Sequence, residues 1–168
     1  MKLSFSRPWG RTLTVLAVAG ASLALAGCSL LGNIVADNTQ APTDPTVEVD
    51  TDAFAIAVGD CLNDGNLDGE VTSVPTIACD QPHDSEAYAS IMVDDGSYPG
   101  EDAILAQADD ECRAAFDSFA GINYDQSVLD FSYYYPTAGS WDNGDREILC
   151  LIYEFDVKTT GSLAGAAR

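Results

Sequence analysis

Apolar and polar positions divide the 168-residue chain into three stretches. Leu13 to Ala26 is an almost unbroken apolar run. Ser29 to Asp52 mixes Asp, Asn, Thr, Pro42 and Pro45 with no sustained period. From Ala53 to about Asp156 the apolar residues become periodic, the mark of a folded domain with one core. Within that domain Phe54 to Leu62 reads as a first strand. Val71 to Cys79 reads as a second, with Pro75 arguing for an edge or a bulge. Glu86 to Val93 is a third, closed by Asp94-Asp95-Gly96. Ile104, Leu105, Ala108, Cys112, Ala115, Phe116 and Phe119 then recur at helical steps; Glu101 and Asp102 favour the start and Gly121 marks the stop. Leu129 to Tyr135 is a fourth strand. Arg146 to Phe155 is a fifth, apolar on both faces and therefore interior. The expected fold is α+β, a small mixed or antiparallel sheet of about five strands packed on one main helix.

The first two stretches read differently. Lys2, Arg7 and Arg11 precede the apolar run, which is too short to span a bilayer comfortably, and small residues follow it. This is the layout of an export signal over residues 1–27. Leu25-Ala26-Gly27-Cys28 resembles the lipobox of bacterial lipoproteins, which implies cleavage before Cys28 and diacylglycerol, with palmitate-type chains, on its sulfur. Two chains suffice for stable anchoring where one is marginal. Residues 28–52 then form a lipidated N-terminus with a disordered spacer, and residues 53–168 the domain. The expected location is the outer face of the cell membrane.

Charge narrows the partners. The chain holds 7 basic and 27 acidic residues; removal of residues 1–27 leaves only Arg113, Arg146, Lys158 and Arg168 as cations, a formal charge of −23. Nucleic acid is excluded as a partner, because its affinity comes from many Lys and Arg contacts. In an oxidising compartment Cys61, Cys79, Cys112 and Cys150 are expected as two disulfides. Spacing allows three connectivities. Cys112 lies on the apolar helix stripe, so a helix laid on the sheet brings it to Cys150 and leaves Cys61 with Cys79. That second bridge requires Leu62 to Gly69 to be an open loop, since a tight hairpin would hold the two sulfurs far apart. One histidine and no C-x-x-C argue against a zinc site, and no cofactor is expected.

Val58-Gly59-Asp60-Cys61-Leu62, Cys79-Asp80-Gln81-Pro82-His83-Asp84-Ser85-Glu86, Tyr98-Pro99-Gly100, Cys112 before Phe116, Tyr135-Pro136, Trp141-Asp142-Asn143-Gly144-Asp145-Arg146, Cys150 and Gly161-Ser162-Leu163 form an ordered set. It resembles the septum-formation domain family of small exported or membrane-anchored bacterial domains. The resemblance implies envelope or division biology and no established enzymatic activity.

Four constellations carry candidate chemistry. His83 beside Asp84 and Glu86 has the residues of a general base, but no nucleophile accompanies it; bonds to nearby backbone are the expected role. Asp145-Arg146 has the fork to anchor an anion, although Asp60, Asp84 or Glu86 would satisfy the guanidinium internally. Asp64-x-Asn66-x-Asp68-Gly69 matches half of a calcium loop, with Pro75 where the closing Glu belongs. Trp141 with Tyr134 offers a platform for a sugar or a partner. The interaction surface is therefore sought among His83, Asp84, Glu86, Tyr134, Trp141, Asp145 and Arg146. The expected function is a non-catalytic interaction module contacting an envelope or division protein. The alternatives are a glycan- or divalent-cation-binding protein and, third, a hydrolase using His83.

Overall fold

A computed structural model describes residues 46–168. The segment read as an export signal, Cys28 and most of the segment read as a spacer lie outside the described residues. Eight regular elements follow in order: β1 (Val49–Asp52), β2 (Cys61–Leu62), β3 (Ser73–Ile77), β4 (Ser85–Met92), α1 (Glu101–Ala120), β5 (Leu129–Tyr134), α2 (Ala138–Asp142) and β6 (Glu147–Glu154). The strands form one sheet in the order β1-β3-β2-β4-β6-β5. Every pairing is antiparallel. The fold is α+β, as the periodicities predict.

Three details depart from the sequence reading. β1 lies inside the segment read as spacer. Its residues are almost all exposed, so no apolar alternation announces it; what orders it is the ladder to β3 and the Thr51–Thr76 hydroxyl pair at 2.6 Å. The first strand shrinks to Cys61–Leu62, because Asp52 caps a 3₁₀ turn at Ala53–Ala55 through the Phe54 N–H. β3 is flanked on both sides, so Pro75 is not on an edge. The adjacent β2 ladder stops at Thr76, and the Pro75 carbonyl takes one further bond from the Asn63 N–H at 2.9 Å.

The sheet carries a core on each face. On one, the α1 stripe Ile104, Ala108, Cys112, Phe116 and Ala120 packs against Tyr88, Ile148, Cys150 and Ile152. A fully buried side chain of Phe116's size contributes about 1.5–3 kcal/mol. On the other, Leu149 and Leu151 meet Ile56, Leu62, Val74 and Ala87. This second core forms because the sheet curls: Ala53, Phe54 and Val71 from the β1 and β3 side face Tyr134 and Leu149 across a groove, although β1 and β5 are the two ends of the strand order. A bulge between Ala87 and Ala89 turns Tyr88 toward the helix, where its hydroxyl donates to the Cys112 carbonyl at 2.6 Å. Burial raises the Tyr88 pKa.

Both disulfides have the expected pairing. Cys61–Cys79 and Cys112–Cys150 have Cα separations of 5.2 and 5.6 Å. Cys61 stands opposite Ile77, so the chain between β2 and β3 is an open loop. At the end of α1, Gly121 adopts φ +76°, and a Cβ there would lie 3.3 Å from Gly165 Cα. The C-terminal tail is thereby laid against the helix end, with Gly165 and Ala167 N–H groups donating to the Phe119 and Ala120 carbonyls.

Candidate functional site

Two polar regions emerge. The first is a sealed junction between β2, the start of β4 and the tail. His83 is fully buried; its Nδ1 lies 2.8 Å from the Gln81 carbonyl and its Nε2 3.1 Å from the Thr159 hydroxyl. A carbonyl only accepts, so Nδ1 carries the proton in that bond. Its backbone exchanges both bonds with Thr159. Glu86, 2% exposed, accepts from Ser162 Oγ at 2.7 Å and from the Leu163 N–H at 2.5 Å. Cys61, His83 and Glu86 bring potential metal donors within 4.8 Å of one another. The Cys61 sulfur is bonded to Cys79, both His83 nitrogens are engaged and both Glu86 oxygens accept hydrogen bonds. The junction is chemistry turned inward.

The neighbouring candidates are tied down in the same way. Asp84 pairs with Lys158 at 2.7 Å and accepts from the Gly65 N–H. Asp64, first residue of the half calcium loop, accepts from Ser85 Oγ at 2.7 Å and from the Tyr134 hydroxyl at 3.1 Å. Arg146 stacks on Trp141 with 3.7 Å from Cζ to the ring centroid, and its Nη1 donates to the Trp141 and Asp145 carbonyls. Its carboxylate neighbour is Asp95, at 3.3 Å from Nε, and not Asp60, Asp84 or Glu86. The tight turn through Asp94-Asp95-Gly96 brings Asp95 alongside Trp141, whose Nε1 donates to the Gly96 carbonyl. Trp141 is consequently only 4% exposed and offers no free ring face, which corrects its place in a sugar platform. Asp145 accepts from Ser140 Oγ and the Glu147 N–H, fixing the turn from α2 into β6.

The second region is open. A groove of about 760 Å³ is lined by Tyr133, Tyr134 and Tyr135 at the end of β5, and by Tyr98, Glu70, Glu101, Asp145 and Glu147 among others. A second, of about 550 Å³, shares Gly69, Val71, Tyr133 and Tyr134 with it. The tyrosine hydroxyls here donate to carboxylates: Tyr133 to Asp109, Tyr134 to Asp64 and Tyr135 to Glu101. Burial, reinforced by the Asp109 bond, raises Tyr133 from the usual 10.0 to about 12. Tyr134 is also raised, by burial and then by the Asp64 charge, and Tyr135 by burial and then by Glu101. The sequence reading found Tyr134 and Asp145 but missed Glu70, Glu101, Glu147 and the apolar rim. Three consecutive tyrosines at the end of β5 are the signal nearest to the groove, and nothing local marks the three glutamates that join them there.

A family model described as septum formation matches residues 26–158. The chain belongs to the septum-formation family. Membership points to a role in cell division or the cell envelope, and a shared fold by itself does not specify the chemistry. No curated protein and no solved structure matches the chain. The match ends at Lys158, just before the tail residues Thr159, Ser162 and Leu163 that close the sealed junction. No described helix is long and apolar enough to cross a membrane.

Proposed function

We propose that this member of the septum-formation family is a lipoprotein, anchored through Cys28 at the outer face of the membrane, that works by binding an envelope or division protein and not by catalysis. The observation that carries this reading is the closure of His83. A general base needs a nitrogen within reach of a substrate proton, and both of its nitrogens are engaged at zero exposure. The lipobox-like Leu25-Ala26-Gly27-Cys28 and the acidic, disulfide-bonded domain support the anchored, extracytoplasmic setting. An open aromatic and acidic groove supports an interaction role.

The test is chemical crosslinking of the full-length protein in membranes, followed by mass spectrometry of its neighbours and of its own intact mass. A diacylated Cys28 and one reproducible division or wall protein are expected. An unacylated chain, or a uniform background of neighbours, overturns the reading.

A further inference from the structure

The free side of β5 has the features of a docking edge. Among the described residues β5 pairs only with β6 and ends the strand order. In an antiparallel ladder alternate residues face the neighbour with both backbone groups. The Leu129 N–H donates to Ser127 Oγ and the Phe131 N–H to Asp130 Oδ1, so the odd-numbered residues of β5 look away from β6. The lower half of the edge is thus capped by its own side chains, one of the ways proteins blunt an exposed edge. Its upper half is not: the Tyr133 N–H and the Phe131 and Tyr133 carbonyls meet no further strand among the described residues. Tyr133 in that uncapped half lines both grooves, which share Gly69 and Val71 across from it; Ala53 and Phe54 extend that wall in the larger one.

We propose that this edge takes an extended, Lys- or Arg-bearing peptide segment of a partner protein as an added strand in the gap left by the curl of the sheet. The proposal rests on the interaction-module reading and names its site. Strand addition draws affinity from main-chain bonds and specificity from pockets for alternate side chains. The charge of the occupant follows from the walls. Glu70, Glu101, Asp145 and Glu147 line the larger groove and none forms an ion pair among the described residues, while Lys158, in the smaller groove, is already held by Asp84. Apolar contact is available at both ends, where Phe54 and Phe155 are 65% and 72% exposed. A basic segment with intervening apolar residues matches both features, and an acidic one is repelled by a domain of this charge.

The test uses the full-length protein in detergent with a short peptide alternating lysine and valine, read by fluorescence polarisation and by backbone amide exchange. Saturating peptide should slow exchange of the Tyr133 N–H about ten-fold while leaving the already paired Tyr134 N–H unchanged. N-methylation of alternate peptide amides should weaken binding about ten-fold, the equivalent of one lost hydrogen bond. The pair Glu70→Gln and Glu147→Gln should weaken it too, and a Glu–Val peptide should not bind. Unchanged exchange at Tyr133, or equal binding of the methylated peptide, overturns strand addition. If crosslinks in membranes identify a reproducible partner that attaches elsewhere, the docking edge falls and the module reading survives; if no partner is captured while the peptide still protects Tyr133, the reverse holds.

Discussion

The sealed junction and the β5 groove are both rich in polar side chains, yet they differ in where their hydrogen bonds end. Around His83 and Glu86 every bond closes on the protein's own chain, and the residues are 0% and 2% exposed. Along β5 the tyrosine hydroxyls are satisfied, but among the described residues one strand edge is unpaired and four carboxylates that form no ion pair line the groove. Residue type alone does not separate these regions, because histidine beside carboxylates fits either chemistry or internal bonding and a run of tyrosines fits either a platform or a core. A polar group buried without a partner costs stability, so burial of His83 and Glu86 required internal partners, and those partners consume their chemistry.

Breaking the junction should therefore cost stability, and altering the groove should not. The largest effect is expected for Cys61→Ala with Cys79→Ala. Freeing a loop of 18 residues lowers unfolding free energy by about 3 kcal/mol in the chain-entropy account, measurable by urea denaturation. Glu86→Ala should cost about 2 kcal/mol, because it strands the buried Leu163 N–H and removes the partner of the exposed Ser162 hydroxyl. Amide exchange at Leu163 should then approach that of an open tail; if it stays protected, the tail is held by something other than Glu86.

The groove tyrosines give a pH signature. Below pH about 10 a tyrosine is protonated both folded and unfolded, and the favourable contribution of its folded setting is fully present. Above that the unfolded side chain ionises while Tyr133 keeps its proton up to about pH 12. The folded state then binds more protons, so stability falls as pH rises across this window. Tyr133→Phe should flatten the alkaline limb of melting temperature against pH; an unchanged slope would remove Tyr133 as its source. The smallest effect is expected for Glu70→Gln, whose side chain makes no ion pair among the described residues: within about 0.5 kcal/mol of the parent stability. A larger loss by thermal melting would mean the groove wall is structural and would erase the contrast.

Much of the fold is legible because local periodicity reports burial directly. The α1 stripe at four-residue steps and the two apolar faces of β6 each correspond to a core the structure contains. The site is far less legible. Tyr134 meets Asp64 across 70 residues, and Glu86 meets Leu163 across 77, separations that leave no pattern in a linear chain. Trp141 illustrates the same limit, since its exposure depends on Arg146 and on a turn some 45 residues upstream that accepts its indole N–H.

Taken alone, the amino-acid order determined the helix, the positions of most strands, the four cysteines that pair and the acidic balance, because each depends on neighbours within a turn or two or on composition. Only tertiary structure decided that Val49–Asp52 joins the sheet, that the sheet curls to leave a groove, and that His83 is sealed while β5 stays open. Those outcomes depend on which distant segments share a ladder or a buried hydrogen bond, and that pairing is set by the packing of the whole domain.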